Sequence, residues 1–357
     1  MTIGTTSRTA VRMRSVKAIM PSATHVKGSK AMAKKCAVTG GAGFIGAYLV
    51  KELVARGWDV LIIDNLARGA DSRFASVANQ VRLETCDIRD EDAVTKAIVG
   101  REVVFHLAAI NGTENFYKQP ELVLDVGLRG ALSVVNACRR ADVPDLVVAS
   151  SAEVYQTPAV VPTSEDTPLM LPDSINPRYS YGGSKIVSEL IAFNYAQDHF
   201  RQMQVFRPHN VYGPDMGWKH VAPQFILRAL ELAEKGDPNF KIQGDGLETR
   251  AFAYVDDVVD GIITMYENGD HREVYHIGND QEVSVRDLAA EVGRAVGHDL
   301  TIVPGPIQEG GTPRRCPDIN KMRAIGYDPK VGLAEGIART ARWYKDNQHL
   351  PGANDLM

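Results

Sequence analysis

The sequence predicts an α/β protein with a doubly wound parallel sheet and a smaller α+β region toward the C-terminus. Three observations lead to this fold class. Short apolar runs alternate with helical patterns up to Arg207, a glycine-rich turn joins the first run to the first helix, and Pro and Gly interrupt the alternation after Arg207. Alternation at this spacing is typical of parallel strands whose connecting helices cover both faces of a sheet.

Hydrophobic periodicity predicts the individual elements. Continuous apolar runs, as buried parallel strands require, predict strands at 35–39, 60–63, 81–85, 103–107, 146–149 and 204–206. Apolar residues at helical spacing predict helices at 44–56, 91–99, 122–141, 181–200 and 223–235. Gly57 follows the first of these helices and is expected to end it.

The same patterns predict how the chain divides. Residues 33–207 are expected to form a dinucleotide-binding domain to which 251–278 return. Residues 208–250 and 279–347 are expected to form a substrate-binding region. Residues 1–32 lack sustained periodicity and are rich in Ser, Thr, Arg and Lys, so they are interpreted as a basic, disordered head.

Charge and cysteine content exclude several classes of protein. The net charge is −4, but residues 1–35 carry eight basic side chains and no acidic one, which leaves 32 basic and 44 acidic residues in the remainder. An acidic body argues against nucleic-acid binding. Four widely spaced cysteines without a CxxC pair argue against a metal site or a disulfide framework and favour the cytoplasm. No run of 18 uncharged apolar residues is present, so no membrane segment is predicted.

The first strand–helix turn carries the pattern of a dinucleotide site. Gly40, Gly43 and Gly46 form a GxxGxxG motif that also contains Phe44 and Ile45. Glycines at these positions permit a tight turn and let the backbone approach a pyrophosphate. The N-terminus of the following helix attracts phosphate through its free amides. These five residues are therefore predicted to bind the cofactor.

An acidic residue at the end of the second strand predicts which nucleotide is bound. Asp64 can accept hydrogen bonds from both ribose hydroxyls and would repel a 2′-phosphate, which favours NAD over NADP. Arg68 lies four residues further on and leaves NADP as the less favoured alternative. Further cofactor contacts are predicted at the ends of the neighbouring strands, by Asn65, Asp87, Ile88, Ala108 and Ala109.

Three residues form a candidate catalytic group. Tyr181 and Lys185 are one helical turn apart and lie on the same helix face. A nearby ammonium, together with the charge of the nicotinamide, stabilises a phenolate and is expected to lower the pKa of Tyr181. Ser151 follows the fifth strand, where its hydroxyl can reach the same substrate oxygen.

Together these motifs resemble the extended short-chain dehydrogenase/reductase family, specifically its nucleotide-sugar epimerases and dehydratases. The resemblance covers about residues 35–345. It depends on GGAGFIG, Asp64, HLAA at 106–109, SSAEVY at 150–155, YGGSK at 181–185, RPHNVYGP at 207–214 and GDGLETRAFAYVDD at 244–257. It implies a Rossmann fold, NAD as the cofactor and a nucleotide-diphosphate sugar as the substrate.

The resemblance also implies a mechanism. Tyr181, as the phenolate, removes the proton of the sugar 4-hydroxyl while hydride passes from C4 to NAD, and a 4-keto sugar results. Ser151 and Lys185 assist, and Tyr181 and Lys185 also contact the cofactor. The substrate is implied to be held by Asn210 and Arg250 at the diphosphate, with Arg314 or Arg315 as a further contact to phosphate or ribose.

One residue bears on which family member this is. Glu153 stands two positions after Ser151, where 4,6-dehydratases carry an Asp-Glu pair, but here Ala152 replaces the Asp. UDP-glucuronate decarboxylases also carry Glu at this place. GDP-mannose 3,5-epimerases carry a Cys acid/base instead, and their second acid/base, a lysine, falls near His220. Glu153 is therefore a candidate catalytic residue, and His220 a candidate base or a plain loop histidine.

The predicted activity is an NAD-dependent epimerase that acts through a transient 4-keto intermediate, with inversion at C4 or at the adjacent C3 and C5. A decarboxylase or 4,6-dehydratase using the same intermediate is the alternative, and a non-catalytic NAD sensor is a third. The resemblance implies a homodimer formed by the helices at 122–141 and 181–200. Its candidate contacts, which core packing explains equally well, are Val123, Val126, Leu190 and Phe193.

Overall fold

The computed structural model describes residues 33–195, 198–306 and 313–350, so the predicted basic head at 1–32 lies outside the described residues. Its strands are, in chain order, β1 (Lys35–Thr39), β2 (Asp59–Ile63), β3 (Val81–Glu84), β4 (Val103–His106), β5 (Asp145–Ala149), β6 (Gln202–Pro208), β7 (Val211–Tyr212), β8 (Asn239–Lys241), β9 (Thr249–Ala251), β10 (Ala253–Tyr254), β11 (Glu273–Ile277), β12 (Glu282–Ser284), β13 (Thr301–Val303) and β14 (Arg314–Arg315).

The helices alternate with these strands through the first half of the chain. They are α1 (Phe44–Ala55), α2 (Glu91–Ile98), α3 (Thr113–Lys118), α4 (Pro120–Arg140), α5 (Ser180–Tyr195), α6 (Val221–Lys235), α7 (Val255–Asn268), α8 (Val285–Val296), α9 (Asn320–Ala324) and α10 (Leu333–Asp346). A 3-10 helix at Asp71–Gln80 connects β2 to β3.

The central sheet confirms the predicted fold class. Seven strands pair in the order β11-β6-β5-β4-β1-β2-β3, and every pair is parallel. Two apolar cores, one on each face, bury the side chains that alternate along these strands. The strand order changes direction between β1 and β4, which is where doubly wound sheets bind their ligands.

A third core lies in the C-terminal half. The helices α6, α8 and α10 pack together around Phe225, Phe240, Leu288 and Tyr344. Short strands accompany them, with β9 between β12 and β14, and with β8 beside β13. This region places β9 and β14 near the ends of β5 and β6.

Several details differ from the sequence prediction. The described part of α5 ends at Tyr195, so a helix to 200 is wrong, and residues 196–197 lie outside the described ranges. The sequence also missed β11, which pairs with β6 at the sheet edge, because its first residues are only partly buried and do not form an apolar run. Val123 and Val126 are buried in the core, so predicting them as subunit contacts is wrong.

Within the described ranges, no helix combines the length and apolar composition needed to cross a membrane. In the same ranges, no group of three or more His, Cys, Asp or Glu side chains is arranged to hold a metal ion. The four cysteines carry free thiols.

Candidate active site

The glycine-rich turn lies between β1 and α1, beside the end of β4. Gly40 has φ +70°, and a Cβ atom there would stand 2.8 Å from the Ala108 nitrogen. A Cβ atom at Gly46 would stand 2.1 Å from the Gly40 oxygen. Gly43 precedes α1, and no side chain caps that helix. The turn therefore tolerates no side chain at Gly40 or Gly46, and the amides at the start of α1 are available to a phosphate.

Acidic and amide side chains from β2 and β3 meet beside this turn. Asp64 accepts hydrogen bonds from the backbone nitrogens of Ala42 (3.1 Å) and Leu66 (2.9 Å), which fix its carboxylate. Asn65 donates to Asp87 over 3.1 Å. Hydrogen bonds from Arg89 hold the pKa of Asp87 near 2, so this carboxylate stays ionised. The three predicted polar contacts of the adenosine therefore lie at one edge of the sheet.

The apolar residues predicted to contact the cofactor differ in position. Phe44 lies against the C-terminal core and packs edge-on to Tyr48. Ile45 packs against a central core, and Ala109 packs against a cluster that includes Tyr181. Ile88 is buried against α4, where a Cβ atom on Gly130 would meet it at 2.4 Å, so it can face a cofactor only through its backbone.

The candidate catalytic residues converge at the end of β5. Ser151 begins a short 3-10 helix, and its hydroxyl accepts a hydrogen bond from the Glu153 nitrogen over 3.1 Å. Tyr181 lies in the first turn of α5, which packs on this 3-10 helix, and the Ser151 hydroxyl acts on the phenol to lower its pKa. The Lys185 ammonium donates to the Ala149 oxygen over 2.8 Å and lies 5.8 Å from the centre of the Tyr181 ring. The structure therefore brings all three together.

The pKa values of this group are set chiefly by burial. Burial raises the pKa of Tyr181 to about 12, against the smaller lowering effects of the Ser151 hydroxyl and of Arg68. Burial lowers the pKa of Lys185 to about 8. The predicted lowering of the tyrosine pKa includes the charge of the nicotinamide. In the protein alone burial dominates, and the Lys185 ammonium is directed to the Ala149 carbonyl.

A buried network that the sequence did not reveal supports the same segment. Glu189, one turn after Lys185, accepts a hydrogen bond from the Ser150 hydroxyl and two from Arg207, at 2.9 and 2.6 Å. Arg207 also donates to the Tyr155 hydroxyl. Both members of the ion pair are buried, with side chains 5% exposed. Glu189 therefore ties α5 to the strand end that carries Ser151.

Three arginines surround Glu153. Arg315 donates to its carboxylate over 2.6 Å, Arg178 lies 3.8 Å from it, and the charge of Arg250 also acts on it. Burial alone would raise the pKa of Glu153, but these arginines outweigh it, and the pKa is lowered. Glu153 is therefore a carboxylate at neutral pH, stabilised by these arginines.

The structure places some of the predicted diphosphate contacts near Glu153 and one of them elsewhere. Arg250 and Arg315 are paired positions on β9 and β14, and both lie near Glu153. The Asn210 side chain donates to the Ala251 oxygen over 3.0 Å, which places it beside β9. Arg314 instead pairs with Glu282 and is half exposed, because adjacent residues of a strand point to opposite sides. The prediction of Arg314 as a substrate contact is therefore not supported by its position.

His220 directly precedes α6 on the other side of the cleft. Burial and the charge of Arg68 lower its pKa below the ordinary value. It is therefore neutral near pH 7 and is not poised to change charge there. Phe116 of α3, which no sequence pattern indicated, stacks on Tyr181 with ring centres 5.1 Å apart.

Sequence reasoning also overlooked Arg178 as a site residue. It stands three positions before Tyr181, so its closeness to that motif was the available signal. The turn, the carboxylate edge and the Tyr181–Lys185 pair fit NAD, which when bound accepts and returns hydride. The residues that would hold it are the glycine turn, Asp64, Asn65, Asp87 and Lys185.

Comparison with known proteins also points to an NAD-dependent protein. Residues 36–278 match the sequence profile of the NAD dependent epimerase/dehydratase family. A UDP-N-acetyl-alpha-D-glucosaminuronate decarboxylase from Bacillus cytotoxicus is 30% identical over 88% of this chain and 99% of its own. A putative UDP-glucose 4-epimerase from Methanocaldococcus jannaschii is 33% identical over 87% of this chain and 98% of its own.

A solved structure supports the likeness in three dimensions. The dTDP-glucose 4,6-dehydratase DesIV from Streptomyces venezuelae, with NAD bound, superposes with a TM-score of 0.78 at 28% identity. The superposition covers 88% of this chain and 98% of that one. These three relatives have different activities. The chain belongs to the NAD-dependent epimerase/dehydratase family, in the nucleotide-sugar group of the extended short-chain dehydrogenases/reductases, and its cofactor is NAD.

Proposed function

We propose that the protein is an NAD-dependent nucleotide-sugar epimerase that works through a transient 4-keto intermediate. The observation that carries this proposal is the convergence of Ser151, Tyr181 and Lys185 at the end of β5. A buried phenol beside a serine hydroxyl is suited to exchange a proton with a sugar hydroxyl. A non-catalytic protein that only senses NAD would not need all three groups.

In this proposal each residue has a defined task. Tyr181, ionised to the phenolate, would take the proton of the 4-hydroxyl and later return it to the 4-keto oxygen. Ser151 donates a hydrogen bond to the same oxygen and orients the sugar. Lys185 supplies positive charge beside the phenol, and its pKa of about 8 leaves it mainly protonated at pH 7. Bound NAD adds a further positive charge, which opposes the effect of burial on Tyr181.

The substrate contacts follow from charge. Arg250 and Arg315, with Asn210 beside them, are proposed to bind the diphosphate of the nucleotide sugar, because guanidinium groups form paired hydrogen bonds with phosphate oxygens. Glu153 orients Arg315 and is within the same cluster. His220, neutral at pH 7, is proposed to lie against the opposite face of the sugar.

The state of Glu153 favours epimerisation over dehydration. Loss of water from C6 needs an acid that gives a proton to the departing hydroxyl. Glu153 is already ionised at neutral pH because the arginines lower its pKa, and Ala152 supplies no second carboxyl. A carboxylate can accept a proton from a carbon next to the ketone, as inversion at C3 or C5 requires.

A decarboxylase is the second candidate, and the arginines near Glu153 favour it. Arg178, Arg250 and Arg315 all act on the Glu153 carboxylate, so this part of the cleft attracts carboxylates. Such a site suits a sugar that carries its own carboxylate. A 4-keto group makes the loss of carbon dioxide from that carboxylate possible, and the Bacillus cytotoxicus relative is named for such a reaction.

One experiment separates these activities. The purified protein is incubated in heavy water with UDP-, GDP-, dTDP- and CDP-sugars, each as the neutral sugar and as the uronate. Nuclear magnetic resonance and mass spectrometry then report inversion, loss of water and loss of carbon dioxide together. Inversion without mass loss supports the epimerase. Release of carbon dioxide from the uronates would show that the protein is a decarboxylase and not an epimerase. If no sugar is turned over, both proposed activities are contradicted.

The role of Glu153 can be tested by isotope exchange. If inversion occurs at C3 or C5, we expect Glu153→Gln to lower deuterium incorporation there by about 10²-fold or more, because an amide cannot accept the proton. Glu282→Gln, which removes the partner of the exposed Arg314, is the matched control and should leave exchange unchanged. Equal exchange in wild type and Glu153→Gln would assign the proton transfer to another residue.

We propose a homodimer in which α4 and α5 of one subunit pack on those of the other. Large apolar side chains on these helices are exposed, namely Leu124, Val187, Leu190 (56% exposed) and Tyr195. We expect Leu190→Glu to convert the dimer to a monomer in analytical ultracentrifugation, because a buried unpaired charge opposes association. Val99→Glu, at a position after α2 that is 67% exposed, is the control. A wild-type monomer at micromolar concentration would contradict the proposal.

We also propose a cytoplasmic location. The four cysteines are free, as expected in a reducing compartment.

A further inference from the structure

Arg68 reaches across the glycine-rich turn from one loop to another. It belongs to the loop after β2, and its guanidinium donates a hydrogen bond to the Asn111 oxygen in the loop after β4. In the sheet, β1 lies between β2 and β4. A side chain that joins those two loops at the carboxyl ends of their strands must therefore pass over the turn that follows β1.

Both ends of this connection are fixed. Arg73 donates to the Arg68 oxygen over 3.2 Å, and the Ala70 nitrogen donates to the Ala42 oxygen of the glycine turn over 3.1 Å. On the other side, the Asn115 side chain donates to the same Asn111 oxygen over 2.8 Å. The Arg68 side chain is thus held between two ordered loops, although it is itself exposed to solvent.

Among the described residues, Arg68 forms no salt bridge with an acidic side chain. An arginine stays protonated at neutral pH, so the exposed Arg68 side chain carries a full positive charge. Arg73 itself is paired with Asp215. The Arg68 guanidinium reaches the Asn111 oxygen, and a Cβ atom on Gly112 would stand 3.7 Å from one of its nitrogens. It therefore lies at the loop after β4 and not at the carboxylate edge formed by Asp64.

We propose that Arg68 binds the pyrophosphate of NAD from above the glycine turn and slows the release of the cofactor. The turn and the start of α1 contact the pyrophosphate from below through backbone amides, which carry no full charge. A guanidinium on the opposite side supplies that charge and two parallel donors. This inference depends on the cofactor and not on the proposed reaction, so a failure of either leaves the other standing.

The position also explains why a residue near Asp64 does not indicate NADP. A guanidinium that selects NADP binds a phosphate on the adenosine ribose, beside the acidic position that ends β2. Arg68 instead extends away from Asp64 to the loop after β4. It is therefore placed for the phosphates that NAD and NADP share.

The test compares Arg68→Met and Arg68→Lys with the control Arg82→Met, which changes an exposed arginine on β3. Each protein is loaded with NAD, and release is followed after dilution into an enzymatic NAD trap. We expect Arg68→Met to release NAD about 10- to 100-fold faster, as loss of a charged hydrogen bond predicts. We expect Arg68→Lys to lie between it and wild type, and Arg82→Met to match wild type.

Calorimetry with fragments of the cofactor separates a phosphate contact from a merely structural role. ADP-ribose should bind Arg68→Met about 10- to 100-fold more weakly, whereas adenosine, which has no phosphate, should bind within about twofold of wild type. Equal weakening of both ligands would show that Arg68 only shapes the loop, and would overturn the proposal. Unchanged NAD release would overturn it as well, as would a loss confined to NADP.

Discussion

Tyr181→Phe is expected to lower kcat for nucleotide-sugar turnover by about 10²- to 10⁴-fold, the usual contribution of a positioned acid/base. The phenol oxygen is lost, but the ring keeps its stacking on Phe116 and its place in α5. The fold and the bound NAD should therefore be retained. Steady-state kinetics, the NAD content of the purified protein and thermal melting measure these three properties separately.

A second tyrosine on the same helix provides the control. Tyr195 is half exposed at the end of α5, so Tyr195→Phe should leave kcat unchanged. If Tyr181→Phe turns over its best nucleotide sugar at the wild-type rate, the proposed proton transfer is wrong. Loss of NAD or of thermal stability in that variant would show that the hydroxyl has a structural role instead.

Glu189→Gln is expected to reduce the free energy of unfolding by about 3–5 kcal/mol, because it leaves Arg207 buried without its counter-ion. Arg207 is 4% exposed, and its two hydrogen bonds to Glu189 are the contacts that the change disrupts. Urea denaturation followed by circular dichroism measures the loss. Activity should also fall, because Ser150 loses the carboxylate that fixes it beside Ser151.

Two further variants identify the cause. Replacing both Glu189 and Arg207 with Met removes the buried charges together and should cost less than Glu189→Gln alone. Glu52→Gln disrupts a comparable but exposed pair with Arg56 and should change stability far less. A Glu189→Gln protein as stable as Glu52→Gln would contradict the argument that burial makes this pair strong.

The order of the sheet could be predicted because its strands are short apolar runs with helices between them. The missed strand β11 contains Glu273 and Val274, both partly buried, and lies at the edge of the sheet, where one side remains open. Apolar periodicity is weak at such an edge. The sequence therefore indicated that 251–278 return to the sheet domain without revealing which residues pair.

The parts of the site that could be predicted are those formed by residues close together in the sequence. The glycine turn and the Tyr181–Lys185 pair are local motifs, and the structure brings them together. The partners of Glu153 are different, because Arg178 and Arg315 are separated by more than a hundred residues and meet only through packing. Arg314 and Arg315 form a two-residue strand, so their side chains point to opposite sides. A strand this short has no alternation of apolar and polar residues from which the sequence could indicate which arginine faces the cleft.

The arginine cluster around Glu153 has a consequence for how fast an anion can bind. The whole chain carries a net charge of −4, so an approaching nucleotide sugar is repelled at long range and attracted where it comes close to Arg178, Arg250 and Arg315. At physiological ionic strength charges are screened beyond about 8 Å. Lowering the salt concentration strengthens the long-range repulsion more than the short-range attraction. The association rate of the substrate should therefore fall as salt is lowered. An enzyme whose net charge attracts its substrate shows the opposite salt dependence.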